Sequence, residues 1–89
     1  MNRAIKSLLT ALLNKKKIGK SHTPEHKQIV SKTKWLNKKE KKEFDDEYKE
    51  LISKEIILRL KKKTKKSSDW HISLNPKKLK ELREMLELE

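Results

Sequence analysis

The sequence has no cysteine, one glycine, two prolines and only 4% aromatic residues. Without cysteine the chain forms neither a disulfide nor a thiolate metal site, so packing alone must stabilise the fold. A single glycine also excludes the glycine-rich loops that bind phosphates. No apolar run approaches the roughly 18 residues of a membrane span, and no secretory pattern is present. We therefore expect a cytoplasmic protein with no membrane partner.

Acidic residues are also scarce relative to basic ones. The 89 residues include 25 Lys or Arg against 13 Asp or Glu, a net charge of +12, with 43% charged and 33% hydrophobic residues. That length and apolar content suit one small domain, which we assign to residues 1–87, with Leu88 and Glu89 as a possible tag remnant. Self-repulsion of this size does not help folding, so the charge predicts a polyanionic partner, with nucleic acid first.

Apolar periodicity predicts two helices in the first third of the chain. The first spans residues 3–17 and ends near Gly19, which can adopt the left-handed conformation common after a helix. Its apolar stripe comprises Ile5, Leu8, Leu9, Leu12 and Leu13. The second starts with Thr23 as N-cap and Pro24 at the first helical position, and it ends near Lys32.

Two more helices are indicated by capping patterns. Asn37 and Glu40 form a capping box that opens a third helix running to about Lys54. Asn75 followed by Pro76 opens the last helix in the same way as Thr23 and Pro24. The expected buried stripes are Phe44, Tyr48, Leu51 and Ile52 in the third helix, and Leu79, Leu82, Met85 and Leu86 in the last.

A β-hairpin is predicted over residues 56–75. The runs IILRL and WHISL alternate apolar and polar residues on either side of the basic segment KKKTKKSSD. Such alternation buries one face of each strand. We expect Ile56, Leu58 and Leu60, and Trp70, Ile72 and Leu74, to point inward, and Arg59, His71 and Ser73 to point to water. Residues 59–69 would then project as a cationic finger.

This order of elements resembles the winged helix-turn-helix domain, in particular small lysine-rich archaeal proteins. The resemblance is carried by the helical pair around Thr23-Pro24 and residues 37–54, the run ELISKEIILRLKK, and the closing strand WHISLNP. It implies an α+β fold with three helices, a hairpin wing and a C-terminal helix, and a third helix that enters the major groove of DNA. Lys54-Glu55 departs from the family pattern, in which a glycine usually marks this corner.

Positive charge is distributed unevenly. Residues 1–34 carry nine basic and one acidic residue and residues 59–69 carry six and one, whereas residues 35–58 carry six Lys against seven Asp or Glu. Helical geometry places Lys39, Lys42, Glu43, Asp46, Lys49 and Glu50 on the outer face of the third helix. No Arg, Asn or Gln, the usual readers of purines, lies between Lys38 and Lys54.

These observations predict non-enzymatic nucleic-acid binding, with duplex DNA favoured over RNA, in transcription regulation or chromatin. The binding residues are lysines nearest the groove, lysines and one arginine of the wing, and a cluster at the first interhelical corner. They are Lys39, Lys42 and Lys49; Arg59, Lys61, Lys62, Lys63, Lys65 and Lys66; and Lys15, Lys16, Lys17 and Lys20. Whether the last two groups share a face is left open by the sequence.

Other functional interpretations of single residues are weaker. We expect Trp70 to be a core residue and Trp35 to fill the turn between the second and third helices, instead of stacking on bases. His22 and His26 lack a completing set of ligands, so neither a metal nor another cofactor is expected. Ser67, Ser68, Asp69 and His71 include nucleophile and base types but no pocket, and no enzyme activity is expected.

Two alternatives stay open at this point. The chain can be an adaptor that docks on a protein or ribonucleoprotein complex through the acidic residues of the third helix and its basic loops. It can also form a homodimer through its terminal helices, if Leu8, Leu12, Leu82, Met85 and Leu86 leave apolar surface uncovered.

Overall fold

The computed structural model describes residues 1–63 and 68–87, excepting the side chains of residues 62, 63 and 68. Within these residues the helices are α1 (Arg3–Asn14), α2 (Glu25–Thr33), α3 (Lys38–Ser53) and α4 (Leu79–Glu87), the last preceded by a 3₁₀ turn (Pro76–Lys78). The strands are β1 (Thr23–Pro24), β2 (Ile57–Lys63) and β3 (Ser68–Leu74), which form an antiparallel sheet in the order β1-β3-β2. The predicted α+β class is confirmed.

The first helix begins where predicted but ends earlier. Asn2 caps α1 by accepting from the backbone N–H of Ala4 at 2.8 Å. The helix ends at Asn14 instead of continuing through residue 17, because Lys16 already has a positive φ of 54°. Gly19 also has a positive φ, but it lies beyond the helix end, and its N–H donates to the Leu74 carbonyl at 2.9 Å. The glycine therefore shapes the loop after α1 and is not the helix terminator.

The predicted start of the second helix is wrong by one residue, and its predicted N-cap and first helical residue are replaced by a strand. Thr23 and Pro24 are extended and pair with Ile72 and His71 as the short strand β1, so α2 begins at Glu25. Pairing with β3 holds both residues in the β region, which prevents Pro24 from taking a helical conformation. The Thr23 hydroxyl accepts instead from the Gln28 side chain, at 3.3 Å.

The third helix is confirmed in its cap, its stripe and its end. The Asn37 side chain accepts from the N–H of Glu40, whose carboxylate accepts in return from the N–H of Asn37. Phe44, Tyr48 and Leu51 are buried. The C-cap is Lys54, and Glu55 then takes a positive φ of 61° at the corner where a glycine is missing.

The register of the hairpin differs from the predicted one in β2. Ile57 pairs with Leu74, and Arg59 pairs with Ile72, so these residues share the core-facing side of the sheet. Leu58 and Leu60 consequently face the other side, and Leu60 is 42% exposed. Ile56 is buried in the turn before the strand. Because the turn consumes one residue more than expected, every side chain of β2 changes face.

The polar residues of β3 are also not where they were expected. Ser73 is fully buried. His71 is half-buried, and its Nδ1 lies 2.8 Å from the Nδ1 of His22. The expectation that both point to water is wrong, because Ser73 is buried and His71 contacts His22.

The hairpin strands are longer than predicted. They extend to Lys63 and from Ser68, so residues 61–63 and 68–69 of the predicted tether belong to the ladder. Residues 64–67 lie outside the described part of the chain.

The core lies between the helices and the inner side of the sheet. It includes Ile5, Leu9, Phe44, Ile72 and Leu74, each at most 1% exposed. At the predicted start of the last helix, the Asn75 side chain accepts from the N–H of Lys77, which confirms the cap. Among the described residues, no helix is long and apolar enough to cross a membrane.

The terminal helices bury most of their apolar side chains in the core of the same chain. Leu8, Leu12 and Leu82 are at most 1% exposed, so they offer nothing to a second subunit. Met85 and Leu86 are only partly buried. The apolar surface available for the predicted dimer is therefore smaller than the stripes suggested.

Candidate nucleic-acid interface

The surface of α3 divides into two sides of opposite charge. At about 100° per residue, four lysines and one aspartate fall on the side next to Tyr48, and five carboxylates and one lysine fall on the side next to Leu51. The basic flank comprises Lys38, Lys41, Lys42, Asp45 and Lys49. The acidic flank comprises Lys39, Glu40, Glu43, Asp46, Glu47 and Glu50. The six outer residues predicted from the sequence are all exposed, as expected.

Contacts at the two edges of α3 orient these flanks within the fold. On the acidic side, the Asn2 backbone N–H donates to both carboxylate oxygens of Glu47, at 2.9 and 3.1 Å, and the Asn2 side chain donates to the Glu40 carbonyl. On the other side, the Tyr48 hydroxyl donates to Glu25 of α2 at 2.6 Å. The acidic flank therefore borders the start of α1, whereas the basic flank borders α2 and the hairpin.

One carboxylate joins three elements beside the basic flank. Glu25 accepts from Tyr48 of α3, and it also accepts from the Nε and Nη2 atoms of Arg59 of β2, at 2.7 and 2.9 Å. Its side chain is only 13% exposed. Such bidentate pairs fix geometry as well as charge. Arg59 is exposed, as predicted, but its charge is already matched by Glu25 within the protein.

The Tyr48 phenol is held as a neutral donor. Burial raises its pKa well above the usual range, and the hydrogen bond to Glu25 and the charge of Glu25 raise it further. The phenol therefore stays protonated at neutral pH and donates to the carboxylate.

Trp70 is a surface residue, contrary to the predicted core position. It is 41% exposed, and its ring lies 4.1 Å from the Arg59 guanidinium and 5.7 Å from the Lys61 ammonium. The predicted face was right, because Trp70 shares its side with Ile72 and Leu74. The core ends at Ile72, however, and one strand step further out the ring covers Arg59 instead of apolar side chains. Stacking on Arg59 stabilises the Glu25 pair.

Trp35 is also exposed, and the prediction that it fills the turn is wrong. It is 84% exposed, and the Lys34 ammonium lies 5.3 Å from its ring centroid. The four-residue connection between α2 and α3 places Leu36 inward, half-buried, and Trp35 outward.

The two predicted lysine clusters outside α3 lie at opposite ends of β3. Lys17 and Gly19 exchange backbone hydrogen bonds with Leu74, the last residue of that strand. The hairpin tip lies at its first residue, Ser68, about 20 Å away at the rise of an extended strand. Lys15, Lys16 and Lys20 are exposed and Lys17 is half-buried. The structure therefore does not bring the loop lysines next to Lys61, Lys62 or Lys63 of β2.

Of the hairpin lysines, Lys61 is described in full and is exposed. Lys62 and Lys63 belong to β2, with side chains that are not described, and Lys65 and Lys66 lie outside the described residues.

The histidines form a pair that sequence reasoning missed. The Nδ1 atoms of His22 and His71 share a hydrogen bond, which requires one ring to donate and the other to accept. His26 lies on the exposed side of α2. Across residues 1–63 and 68–87, no three His, Cys, Asp or Glu residues come together as a metal site.

No protein-family model, curated protein or solved structure matches this chain.

Proposed function

We propose that this protein is a winged helix-turn-helix protein that binds nucleic acid, duplex DNA in preference to RNA, in the cytoplasm and in a regulatory or chromatin-associated role. The observation that carries the proposal is the charge division of α3. Its basic flank lies on the side of the helix that Glu25 joins to the hairpin. A duplex laid along that side meets lysines from two elements.

The arrangement of α2, α3 and the hairpin supports the proposed class. The two helices are joined by the four residues 34–37, the connection length of a helix-turn-helix. The hairpin follows α3 directly. In a helix-turn-helix formed by α2 and α3, the later helix, α3, would lie in the major groove with its N-terminal part nearest the bases. Lys38, Lys41 and Lys42 are in that part of α3 and are exposed.

The chemistry of the interface is mainly phosphate binding. Lysine ammonium groups neutralise phosphates and release counterions, which gives affinity that falls steeply with salt. Lysine also donates to guanine in the major groove. Lys49 and Lys61 extend the basic surface, and we keep Lys62, Lys63, Lys65 and Lys66 in the site on the strength of the sequence. We assign Arg59 to holding the hairpin against α2.

The structure also separates the predicted α3 lysines from one another. Lys42 and Lys49 lie on the basic flank, but Lys39 lies among carboxylates on the acidic flank. The loop residues Lys15, Lys16, Lys17 and Lys20 lie at the far end of β3, so we treat them as a second, independent phosphate contact.

Two substitutions with the same change in net charge test the proposal. We expect Lys49→Glu to weaken binding of a short labelled duplex at least about tenfold and to flatten its salt dependence, and Lys39→Glu to weaken it less than about threefold. Fluorescence anisotropy at about 50 and 200 mM salt measures both effects. Equal losses in the two variants would mean that only net charge matters and would reject the interface. Tighter binding of a structured RNA than of the duplex would reject the preference for DNA.

A further inference from the structure

The turn between α2 and α3 presents apolar surface that the proposed DNA interface does not use. A groove of about 480 Å³ lies beside this turn, and it is lined by Met1, Asn2, Arg3, Trp35, Leu36, Glu40 and Glu43. Trp35 is 84% exposed. Tryptophan is enriched among the residues that contribute most of the binding energy at protein interfaces, above all where it lies in or beside a groove. We call this surface the Trp35 groove.

The Trp35 groove continues into the acidic flank of α3. Glu40 and Glu43 belong to both, and Asp46, Glu47 and Glu50 extend the carboxylates along the helix. On a protein with a net charge of +12, this side of α3 is locally negative. It repels phosphate and attracts cations, so its partner differs in charge from the partner of the basic flank.

Several of these carboxylates are fixed before any partner arrives. Glu40 is held by its capping box with Asn37. Glu47 accepts two contacts from the Asn2 backbone N–H. Side chains that are already ordered lose little entropy on binding.

We propose that the Trp35 groove binds a basic segment of another protein, whose Lys or Arg side chains meet the acidic flank and whose apolar side chain packs on Trp35. The occupant is a protein segment and not nucleic acid, because the acidic flank excludes phosphate. DNA and this segment occupy opposite sides of α3, so both can be bound at once. The adaptor role and the DNA-binding role then belong to one molecule.

A short arginine-rich peptide with a central pair of leucines tests the proposal on the full chain. We expect binding with a Kd in the tens of micromolar, measured by anisotropy of a fluorescein label. Trp35→Ala and Glu43→Lys should each weaken it at least about fivefold. Asp45→Lys adds the same charge on the basic flank and should change it less than about twofold. In Trp70→Phe, the remaining tryptophan, Trp35, should change its emission during the titration.

Three results would overturn the proposal. The first is an equal loss of peptide binding in Glu43→Lys and Asp45→Lys, which reduces the effect to net charge. The second is undiminished binding of a peptide with serines in place of the leucines, which removes Trp35 from the contact. The third is a dimer by light scattering that Trp35→Ala dissociates, which makes a second copy the occupant. Duplex binding by Trp35→Ala should stay unchanged, so this test fails or succeeds independently of the DNA interface.

Discussion

The two flanks of α3 differ in charge, in neighbours and in the partners that we propose for them. The basic flank carries four lysines and adjoins the hairpin, whereas the acidic flank carries five carboxylates and adjoins the start of α1. Summed over the helix, these charges nearly cancel. The net charge of a helical segment therefore says little about its partner, because a helix with 3.6 residues per turn can place opposite charges on separate surfaces.

The contacts at the flanks also differ in kind. The acidic flank is joined to the start of α1 through the backbone N–H and the side-chain amide of Asn2, which leave most of its carboxylates at the surface. Among the described residues, the shared carboxylate of Glu25 links Tyr48, at the edge of the basic flank, to Arg59 of the hairpin. Loss of that one side chain should therefore damage the basic side far more than the acidic side.

Replacement of Glu25 should have the largest effect on the difference between the two flanks. In Glu25→Ala the Tyr48 hydroxyl and the Arg59 guanidinium lose their shared acceptor, and we expect unfolding to become easier by about 2–3 kcal/mol. Urea denaturation followed by circular dichroism measures the loss. Glu25→Gln is the control, because its amide oxygen still accepts a hydrogen bond and should preserve part of the stability. A loss below about 0.5 kcal/mol in Glu25→Ala would contradict the assigned role.

Removal of one hydroxyl should have a smaller effect that depends on pH. We expect Tyr48→Phe to cost about 1–2 kcal/mol at neutral pH, because a buried hydrogen bond to a carboxylate is lost. The folded protein raises the pKa of Tyr48 above its unfolded value of 10.0. Wild-type stability is therefore complete below pH 10 and falls above it, as the unfolded phenol ionises and the folded one does not.

Phenylalanine has no such ionisation, so the stability difference between Tyr48→Phe and the wild type should shrink as pH rises above about 10. Denaturation at a series of pH values checks this. A difference that stays constant into the alkaline range would mean that burial does not hold the phenol neutral.

A substitution at the corner between α3 and the hairpin should give the smallest change in stability. This change should stabilise the protein, unlike the two substitutions above. Glu55 has a φ of 61°, a conformation that is unfavourable for a residue with a Cβ. We expect Glu55→Gly to raise the unfolding free energy by up to about 1 kcal/mol. Lys54→Gly is the matched control, since Lys54 has a φ of −82° and gains no relief from glycine. Equal effects at both positions would show that strain at the corner is negligible.

The same substitution also tests whether the angle between α3 and the hairpin affects DNA binding. Because Glu55→Gly removes one negative charge, Glu55→Gln is the control of equal charge, and only a gain in duplex affinity beyond that of Glu55→Gln would report a fixed angle between α3 and the hairpin.

Elements with a local chemical signature were predictable from the sequence. The capping box at Asn37, the cap at Asn75 and the stripes of α1 and α3 depend on residues three or four apart, and each formed as predicted. The start of α2 was not predictable in this way, because Thr23 and Pro24 form strand pairs with Ile72 and His71, almost fifty residues away in the sequence. Local preference gave way to a long-range strand contact.

The errors around the hairpin also have long-range causes. Alternation indicated two faces for β2, but only its pairing with β3 decides which face is buried, and the turn at Glu55 shifted it by one residue. Trp35 and Trp70 were expected inside because aromatic residues are scarce. Their exposure follows from where the core ends, which the sequence does not mark.

The candidate site was predictable in part. The apolar stripe of α3 correctly predicted that its lysines are exposed. The division of charge between the two sides of α3 was not predicted, although Glu40, Glu43, Glu47 and Glu50 recur at helical spacing. A count of charges along the segment hid what a helical projection would have shown. Which flank adjoins the hairpin depends on the Glu25 contacts, and no local pattern encodes them.

One charge-swap measurement tests the central claim most directly. Asp45→Lys and Glu43→Lys each add two positive charges to α3, the first on the basic flank and the second on the acidic flank. The account predicts that Asp45→Lys strengthens duplex DNA binding at least about fivefold while Glu43→Lys leaves it within about twofold. Equal strengthening by both substitutions, or a larger gain from Glu43→Lys, would contradict it.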